Sequence, residues 1–420
     1  MIEKTVLDNG VTVLTESLPD FNSAQVMIDV RVGSTDEDVE TQGGVSHVLE
    51  HMMFKGTELR SREDIVGEIE GVGGAFNAFT STDNTRYYAN VPKDTIYTAL
   101  DVLSDMVLNS KFDGDELERE LEVIKQEILM RNDDNDIAAW TAHQEWMYGT
   151  TDYGNDVIGN AELVGTFKRD DIVEYYESKY SPDKMTVLCV GAVNHDEFVA
   201  EVSKQFEHIP NSASQSKEEE YDFGAGVQKV INDDIDQVHT RISFEGPTKY
   251  QGDDGRVLSL ALLELGGGMS SRLFQNVRDA RGLAYHVSIH ASPEERVGAI
   301  TAFIGTTPDK VVEAIDATMD EINQMRDEGL TEDEVTSLKK RLIGGFQMAQ
   351  DNLGTKANLL LNQNRYRNEI MTADEIVARI DAITTDEVNE TIQKYFPYSR
   401  DMLSITMFGP CGDISLDDVV

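Results

Sequence analysis

The chain states one plan twice, and that repetition points to two similar α+β domains. Each half opens on strand patterns, Thr12–Glu16 and Gln25–Val32 in the first, Gln228–Ile231 and His239–Glu245 in the second. Each continues into a long helical region and closes on a helix, a Lys-Tyr pair and an apolar strand. The first ending runs from Asp171 to Lys179-Tyr180-Ser181-Pro182 and then MTVLCVGAV. The second runs from Asp386 to Lys394-Tyr395-Phe396-Pro397 and then MLSITMFGP. The Asp-to-Lys spacing is eight residues in both. Between the halves lies NSASQSKEEE, residues 211–220, which is polar, Ser-rich and aperiodic. The expected organisation is an α+β domain over 1–210, a linker at 211–220 and a homologous domain over 221–420. A chain of 420 residues is long enough to give each its own core.

Charge and cysteine content narrow the partners. Asp and Glu number 78 against 36 Lys and Arg, a formal charge of −42. That excess argues against nucleic acid and anionic membranes as partners. The acids are spread along the whole chain, which fits a solvated surface suited to high salt, or else a preference for cationic substrates. The longest apolar run, Met185–Val193, is nine residues, a buried strand rather than a membrane span. The N-terminus has no leader pattern and enters a hairpin around Asp8-Asn9-Gly10. Cys189 and Cys411 are the only cysteines, too few for a disulfide framework or a thiolate metal site, and a cytoplasmic location is expected.

The chemistry concentrates at His47-Val48-Leu49-Glu50-His51. On a helix, Val45, Val48, Leu49 and Met52 form a core stripe, and His47, Glu50, His51 and Phe54 lie on the opposite face. Gly43-Gly44 and Gly56 bracket a short helix. Two imidazoles one turn apart with a carboxylate between them supply two metal ligands and a base for an activated water. The bland reading is a solvated or satisfied pair of core histidines. The order H-x-x-E-H inverts the commoner H-E-x-x-H zinc motif. Such a metal needs a third protein ligand. Residues 115–130 read as an amphipathic helix with Leu117, Leu121, Ile124 and Ile128 as core stripe. Glu120 and Glu127 sit two turns apart on one face, as ligands or as solvated glutamates. The matching helix of the second half, near Arg256–Leu265, is leucine-rich and has no histidine.

Taken together these segments resemble the pitrilysin/insulinase-type zinc metallopeptidases (inverzincins), in the half-size group that includes the mitochondrial processing peptidase and its bacterial relatives. In that family H-x-x-E-H is followed about 76 residues later by a glutamate inside E-x-x-V-I-x-x-E. Here the segment is Glu120-Leu121-Glu122-Val123-Ile124-Lys125-Gln126-Glu127, with Glu127 76 positions after His51. The resemblance implies one zinc ion per chain held by His47, His51 and Glu127, with Glu50 as general base and Glu120 orienting a ligand. Many relatives have Glu where this chain has Gln126, a position that is not a ligand. In the family the strand matching Gly73-Gly74-Ala75-Phe76-Asn77-Ala78-Phe79-Thr80 is a sheet edge near the metal, to which substrate adds as a strand. Asn77, Ala78 and Phe79 are therefore candidate substrate-binding residues. Gly266-Gly267-Gly268 lacks the G-K-[ST] of a phosphate loop and leads instead to Arg278 and Tyr285. The matching Arg and Tyr of relatives face the zinc, one holding a substrate carbonyl and the other donating to the oxyanion. At Asp152-Tyr153-Gly154 many relatives have His-Pro and a glycine, a departure expected to lie outside the chemistry.

The implied fold is α+β, two homologous α/β-sandwich domains, each an antiparallel-rich sheet with helices packed on it, forming half of a clamshell. The implied activity is zinc-dependent endopeptidase action on short or unfolded peptides, basic ones among them, inside a closed chamber. Long relatives carry the zinc motif and the Arg/Tyr pair in one chain of four domains, and some heterodimers divide them. A half-size chain with both implies a homodimer with shared sites, or a heterodimer with another family member. The alternative is a non-catalytic scaffold subunit, although such relatives typically lack ligands or base, and all are present here.

Overall fold

Runs of Val, Ile, Thr and aromatic residues build two sheets in the structure, a computed structural model that describes residues 1–420 except 150, 211–220, 222, 368, 417–418 and 420. The elements begin with β1 (Ile2–Val6), β2 (Thr12–Ser17), β3 (Ser23–Val30), α1 (Val45–Met52), α2 (Arg62–Glu70), β4 (Ala75–Thr80), β5 (Thr85–Pro92), α3 (Ile96–Asn109), α4 (Gly114–Asp133) and α5 (Asn135–Tyr148). They continue with α6 (Ala161–Val164), α7 (Arg169–Lys179), β6 (Met185–Gly191), α8 (His195–Phe206), β7 (Gly226–Ile231), β8 (Val238–Glu245), α9 (Gly252–Gly266), β9 (His286–Pro293) and β10 (Gly298–Thr306). The last are α10 (Val311–Glu328), α11 (Glu332–Ala349), α12 (Leu353–Tyr366), α13 (Ala373–Ala382), α14 (Thr385–Tyr395) and β11 (Ser404–Gly409).

The repeated plan is visible in the strand order. The first sheet runs β1-β2-β6-β3-β5-β4 and the second β7-β11-β8-β10-β9. Setting β1 aside, the two orders correspond strand for strand. The strand after each Lys-Tyr pair, β6 or β11, lies parallel to the first strand of its half and antiparallel to the next. A parallel neighbour demands a long crossover, and here most of a half-chain intervenes. The β1–β2 hairpin turns through Asp8-Asn9-Gly10, with Gly10 at φ +99°, where a side chain would be strained.

Because side chains alternate along a strand, each sheet has an apolar and a polar face. Ala24, Val26, Ile28 and Val30 of β3 are fully buried in a core to which α3 contributes. In the second sheet Ile242, Phe244, Ile300, Ala302, Ile304, Ile405 and Met407 form the core with residues of α9, α10 and α14. The opposite faces carry Asp29 and Arg86 in one sheet, and Arg241, Ser243, Thr301 and Thr406 in the other.

Those polar faces are covered by helices from the other half of the sequence. The chain forms two compact units, one of Met1–Arg131, Thr151–Glu219 and Gln350–Asn362, the other of Asn132–Thr150, Glu220–Ala349 and Gln363–Val420. Thus α5 belongs to the second unit and the first part of α12 to the first. A division into 1–210 and 221–420 leaves out both exchanges, and the linker expected at 211–220 lies outside the described residues. In the second unit, His143 of α5 places Nδ1 2.8 Å from Thr406 Oγ1 and Nε2 2.7 Å from Ser243 Oγ. Ser243 in turn meets Thr301 Oγ1 at 2.7 Å. In the first, Arg86 donates to Asn358 Oδ1 of α12 at 2.7 Å and, through Nε, to Asp29 Oδ1 at 2.6 Å, and Lys356 pairs with Glu16 at 2.8 Å. A purely apolar helix would strand these groups, at about 1–3 kcal/mol each.

Burial, with the charge of Arg241 adding to it, takes the His143 imidazole from 6.5 down to about 3. Between those values the unfolded chain binds a proton that the folded chain refuses, so stability falls as pH drops through this window. His143→Gln, which keeps two polar ends, should flatten this part of the pH dependence of urea unfolding. A slope equal to that of the wild type would assign the acid sensitivity elsewhere.

Candidate metal centre

The helix α1 forms on its apolar stripe, Val45, Val48, Leu49 and Met52, which are 0–1% exposed. That leaves His47, Glu50 and His51 on the other side. Phe54, just past the helix, packs against Phe76 of β4 with ring centroids 5.5 Å apart. The helix α4 supplies the remaining groups. Asp113 caps it, accepting from the N–H of Asp115 and of Glu116 at 3.0 Å. Its stripe of Leu117, Leu121, Ile124 and Ile128 is buried, which turns Glu120 and Glu127 toward the histidines.

Three donors converge here. The ligand atoms of His47, His51 and Glu127 lie within 4.8 Å of one another. The two Nε2 atoms are 3.2 Å apart, and Glu127 Oε2 is 4.0 Å from His47 Nε2 and 3.7 Å from His51 Nε2. Donors around a tetrahedral zinc at ~2.0–2.1 Å stand roughly 3.3 Å apart, so small movements close this set on an ion. Burial, then the charges of His51 and Arg131, lower the His47 imidazole to about 3, so it is neutral at neutral pH with a lone pair to offer. His51 Nδ1 donates to Glu120 Oε1 at 2.8 Å, leaving Nε2 for a metal. Glu120 also pairs with Lys55. Burial would raise the Glu120 carboxyl, but the bonds from His51 and Lys55 outweigh it and hold it below the ordinary range. His47 Nδ1, by contrast, is buried without a hydrogen-bond partner among the described residues. Two neutral imidazoles and a carboxylate at these separations fit zinc.

Glu50 is 7% exposed, and its Oε2 accepts the Thr80 hydroxyl at 2.6 Å. Burial lifts its carboxyl above the ordinary range, against the pull of Thr80 and His51. A carboxylate so lifted is a stronger proton acceptor near neutral pH. Thr80 ends β4, the edge strand of the first sheet, paired with β5 alone among the described strands. The strand with a free backbone edge therefore also holds Glu50.

A cavity of about 290 Å³ opens over these groups, lined by His47, Glu50, His51, Ala78, Phe79, Thr80, Glu127, Arg131 and residues 156–158. Of the three residues expected on the strand, Ala78 and Phe79 line it. Asn77 is exposed on the same strand, its Oδ1 accepting from the Ala78 N–H, and is not part of the lining. Sequence reasoning missed Thr80, Lys55, Arg131 and Asp156. Lys55 follows His51, and Arg131 follows Glu127, by one helical turn, which is the available signal. The Arg131 guanidinium meets both Asp156 oxygens, at 3.1 and 3.2 Å. Asp152, Tyr153 and Gly154 are buried, with Tyr153 donating to Asp83 at 2.8 Å, and the residues just after them form cavity wall. That segment is nearer the site than its sequence position implies.

Arg278 and Tyr285 lie in the second unit. Arg278 sits in a π-type turn, Phe274–Ala280, its guanidinium 4.5 Å from the Phe274 ring centroid and 5.5 Å from that of Tyr285. Tyr285 is 75% exposed.

If Glu120 orients His51, then Glu120→Gln, which loses the charge but not the shape, should weaken zinc binding about 10–100-fold in chelator competition. An unchanged affinity would remove that role.

Comparison with known proteins places the chain among peptidases. The family model for insulinase (peptidase family M16) matches residues 12–160, and that for the peptidase M16 inactive domain matches residues 166–342. The uncharacterized zinc protease SCO5738 of Streptomyces coelicolor is 32% identical over 425 residues, covering 98% of this chain and 90% of that protein. The uncharacterized zinc protease YmxG of Bacillus subtilis is 29% identical over 417 residues, covering 99% and 100%. Among solved structures, a protease from Helicobacter pylori has a TM-score of 0.89 at 20% identity, covering 98% of this chain and 99% of that one. A peptidase M16 inactive domain from Pseudomonas fluorescens has a TM-score of 0.89 at 18% identity, covering 97% and 98%. The structural likenesses establish the fold, and the sequence matches establish descent: the chain belongs to the insulinase (M16) family of peptidases, as a half-size member.

Proposed function

We propose that this protein is a zinc-dependent endopeptidase acting on short or unfolded peptides. The observation that carries the reading is the convergence of His47, His51 and Glu127, with Glu50 buried beside them, in a chain whose relatives are named zinc proteases. When bound, zinc would polarise the scissile carbonyl and make a water acidic enough to react near neutral pH. Glu50 takes a proton from the attacking water and passes it to the leaving amine. A peptide pairs with the open edge of β4 through main-chain hydrogen bonds, which hold many sequences in one extended form. Ala78 and Phe79 then face the bound segment, with Asn77 beside them.

Arg278 and Tyr285 complete the proposal. Tyr285 is exposed and Arg278, half-buried, lies over its ring, which suits groups that act outside their own unit, the guanidinium on a substrate carbonyl and the phenol on the developing oxyanion. The working form is then a homodimer with two shared sites and one zinc ion per chain, each site using Arg278 and Tyr285 of the partner subunit. The acidic surface favours basic peptides. No described helix is long and apolar enough to cross a membrane, and both cysteines are buried thiols, which suits a reducing cytoplasm. A second reading, a non-catalytic partner subunit, draws on the match of residues 166–342 to an inactive domain. The ligands and Glu50 all lie outside that segment, in the part matched by the insulinase model, which favours the enzyme.

Cleavage of an unstructured peptide should be abolished by a chelator and restored by zinc. Glu50→Gln should bind zinc like the wild type and lose nearly all turnover, and substantial residual turnover would remove the mechanism. Glu50→Gln subunits mixed with Tyr285→Phe subunits should regain activity if sites are shared. No recovery in proven mixed dimers would place each site within one chain.

A further inference from the structure

The helix α1 has no side-chain cap of its own. Its N-cap is Gly44, at φ +92°, and its first-turn N–H groups need acceptors from elsewhere. The Val45 N–H finds Gln42 O at 2.8 Å, and those of the N-cap Gly44 and of Ser46 find theirs seven and nine residues upstream. Glu37 Oε2 accepts from the Gly44 N–H at 2.8 Å, and Oε1 from the Ser46 N–H at 2.7 Å. Glu37 is 3% exposed, so this carboxyl gives up its hydration for those two donors. The Ser46 hydroxyl meets Gly33 O at 3.1 Å and Tyr175 OH at 2.8 Å. A Cβ at Gly44 would lie 2.6 Å from Ile158 O, so only glycine fits at this N-cap and the cap has to come from elsewhere.

The residue after Ser46 is His47. His51 is aimed by Glu120, but His47 Nδ1 has no partner among the described residues. The direction of His47 Nε2 is therefore set by the seating of the helix itself. A turn of α1 by one residue is about 100° and would carry His47 and Glu50 out of the cavity.

We propose that Glu37 is a positioning residue of the metal centre, which holds the first turn of α1 and so aims His47 and Glu50. The role needs two acceptors at this reach. Gln offers one and sets an NH₂ against the other N–H, and Asp is one methylene short. The proposal rests on the reading that His47, His51 and Glu127 hold zinc.

The test is zinc affinity of the metal-stripped full chain, by competition with a chromogenic chelator, for the wild type, Glu37→Gln, Glu37→Asp and a control, Asn9→Ala. Asn9 is buried in the same unit and donates to Phe206 O at 2.8 Å and Ile209 O at 3.3 Å, away from α1. Both Glu37 variants should bind zinc about 10–100-fold more weakly. Asn9→Ala should lower the melting temperature but keep the wild-type affinity. Wild-type affinity in Glu37→Gln, or an equal loss in Asn9→Ala, overturns the proposal. A variant that fails to fold in both Glu37 forms also counts against a role specific to the metal centre. A wild type that binds no zinc overturns the ligand reading first and this one with it.

Discussion

The candidate site depends on one helix being sealed to the core on one side while its other side is kept largely from water. Val45, Val48, Leu49 and Met52 fix α1 in place, each full burial contributing about 1.5–3 kcal/mol. That attachment lets His47 and Glu50 stay where their charged forms are disfavoured. Burial leads the causes in both cases, lowering the imidazole and raising the carboxyl. The first shift favours a metal ligand and the second a base. Neither would arise on a solvated helix carrying the same five residues.

The two units show how a repeated fold can hold one centre. Their strand orders correspond, yet the helix that enters the second core, α9, buries Leu258, Leu260, Leu262 and Leu265 and carries no histidine. What the sheets share is the treatment of their polar faces. Each receives a helix from the other half of the sequence, and each contact is made by polar groups that need a partner. Buried hydroxyls and a buried Arg–Asp pair make these contacts specific, because a slipped helix would leave them unsatisfied.

Much of this was legible in the sequence. The stripes of α1 and α4 are local patterns with a period of 3.6, and both helices pack as those patterns require. The strands came from apolar runs, with ends within two residues or so. The exchanged helices did not show, because periodicity says which face of a helix is buried and not against what. The bonding partners of His143 are 263 and 100 residues away along the chain. The cap of α1 was hidden for a related reason. Helix-start rules look for Ser, Thr, Asp or Asn directly before the helix, and here a glycine stands there while the acceptor comes from Glu37. Thr80 was missed because its bond to Glu50 joins an edge strand to a helix 30 residues earlier.

That bond ties together two demands that ordinarily conflict. A strand that captures peptides must leave its backbone edge open, and an open edge invites pairing with other copies of the chain. Most proteins remove the hazard by covering or shortening the edge, which here would remove the proposed binding mode as well. β4 keeps six residues with one side unpaired among the described strands, and Phe79 is partly exposed on it. The net charge of −42 acts on the same problem from outside. At range the like charge slows random edge-to-edge encounters between copies, which a specific dimer interface elsewhere still overcomes, and on the proposed reading a neutral or basic peptide approaches the edge freely. On this argument the acidic surface and the open strand are one arrangement, and it suits the proposed capture of peptides through their backbone.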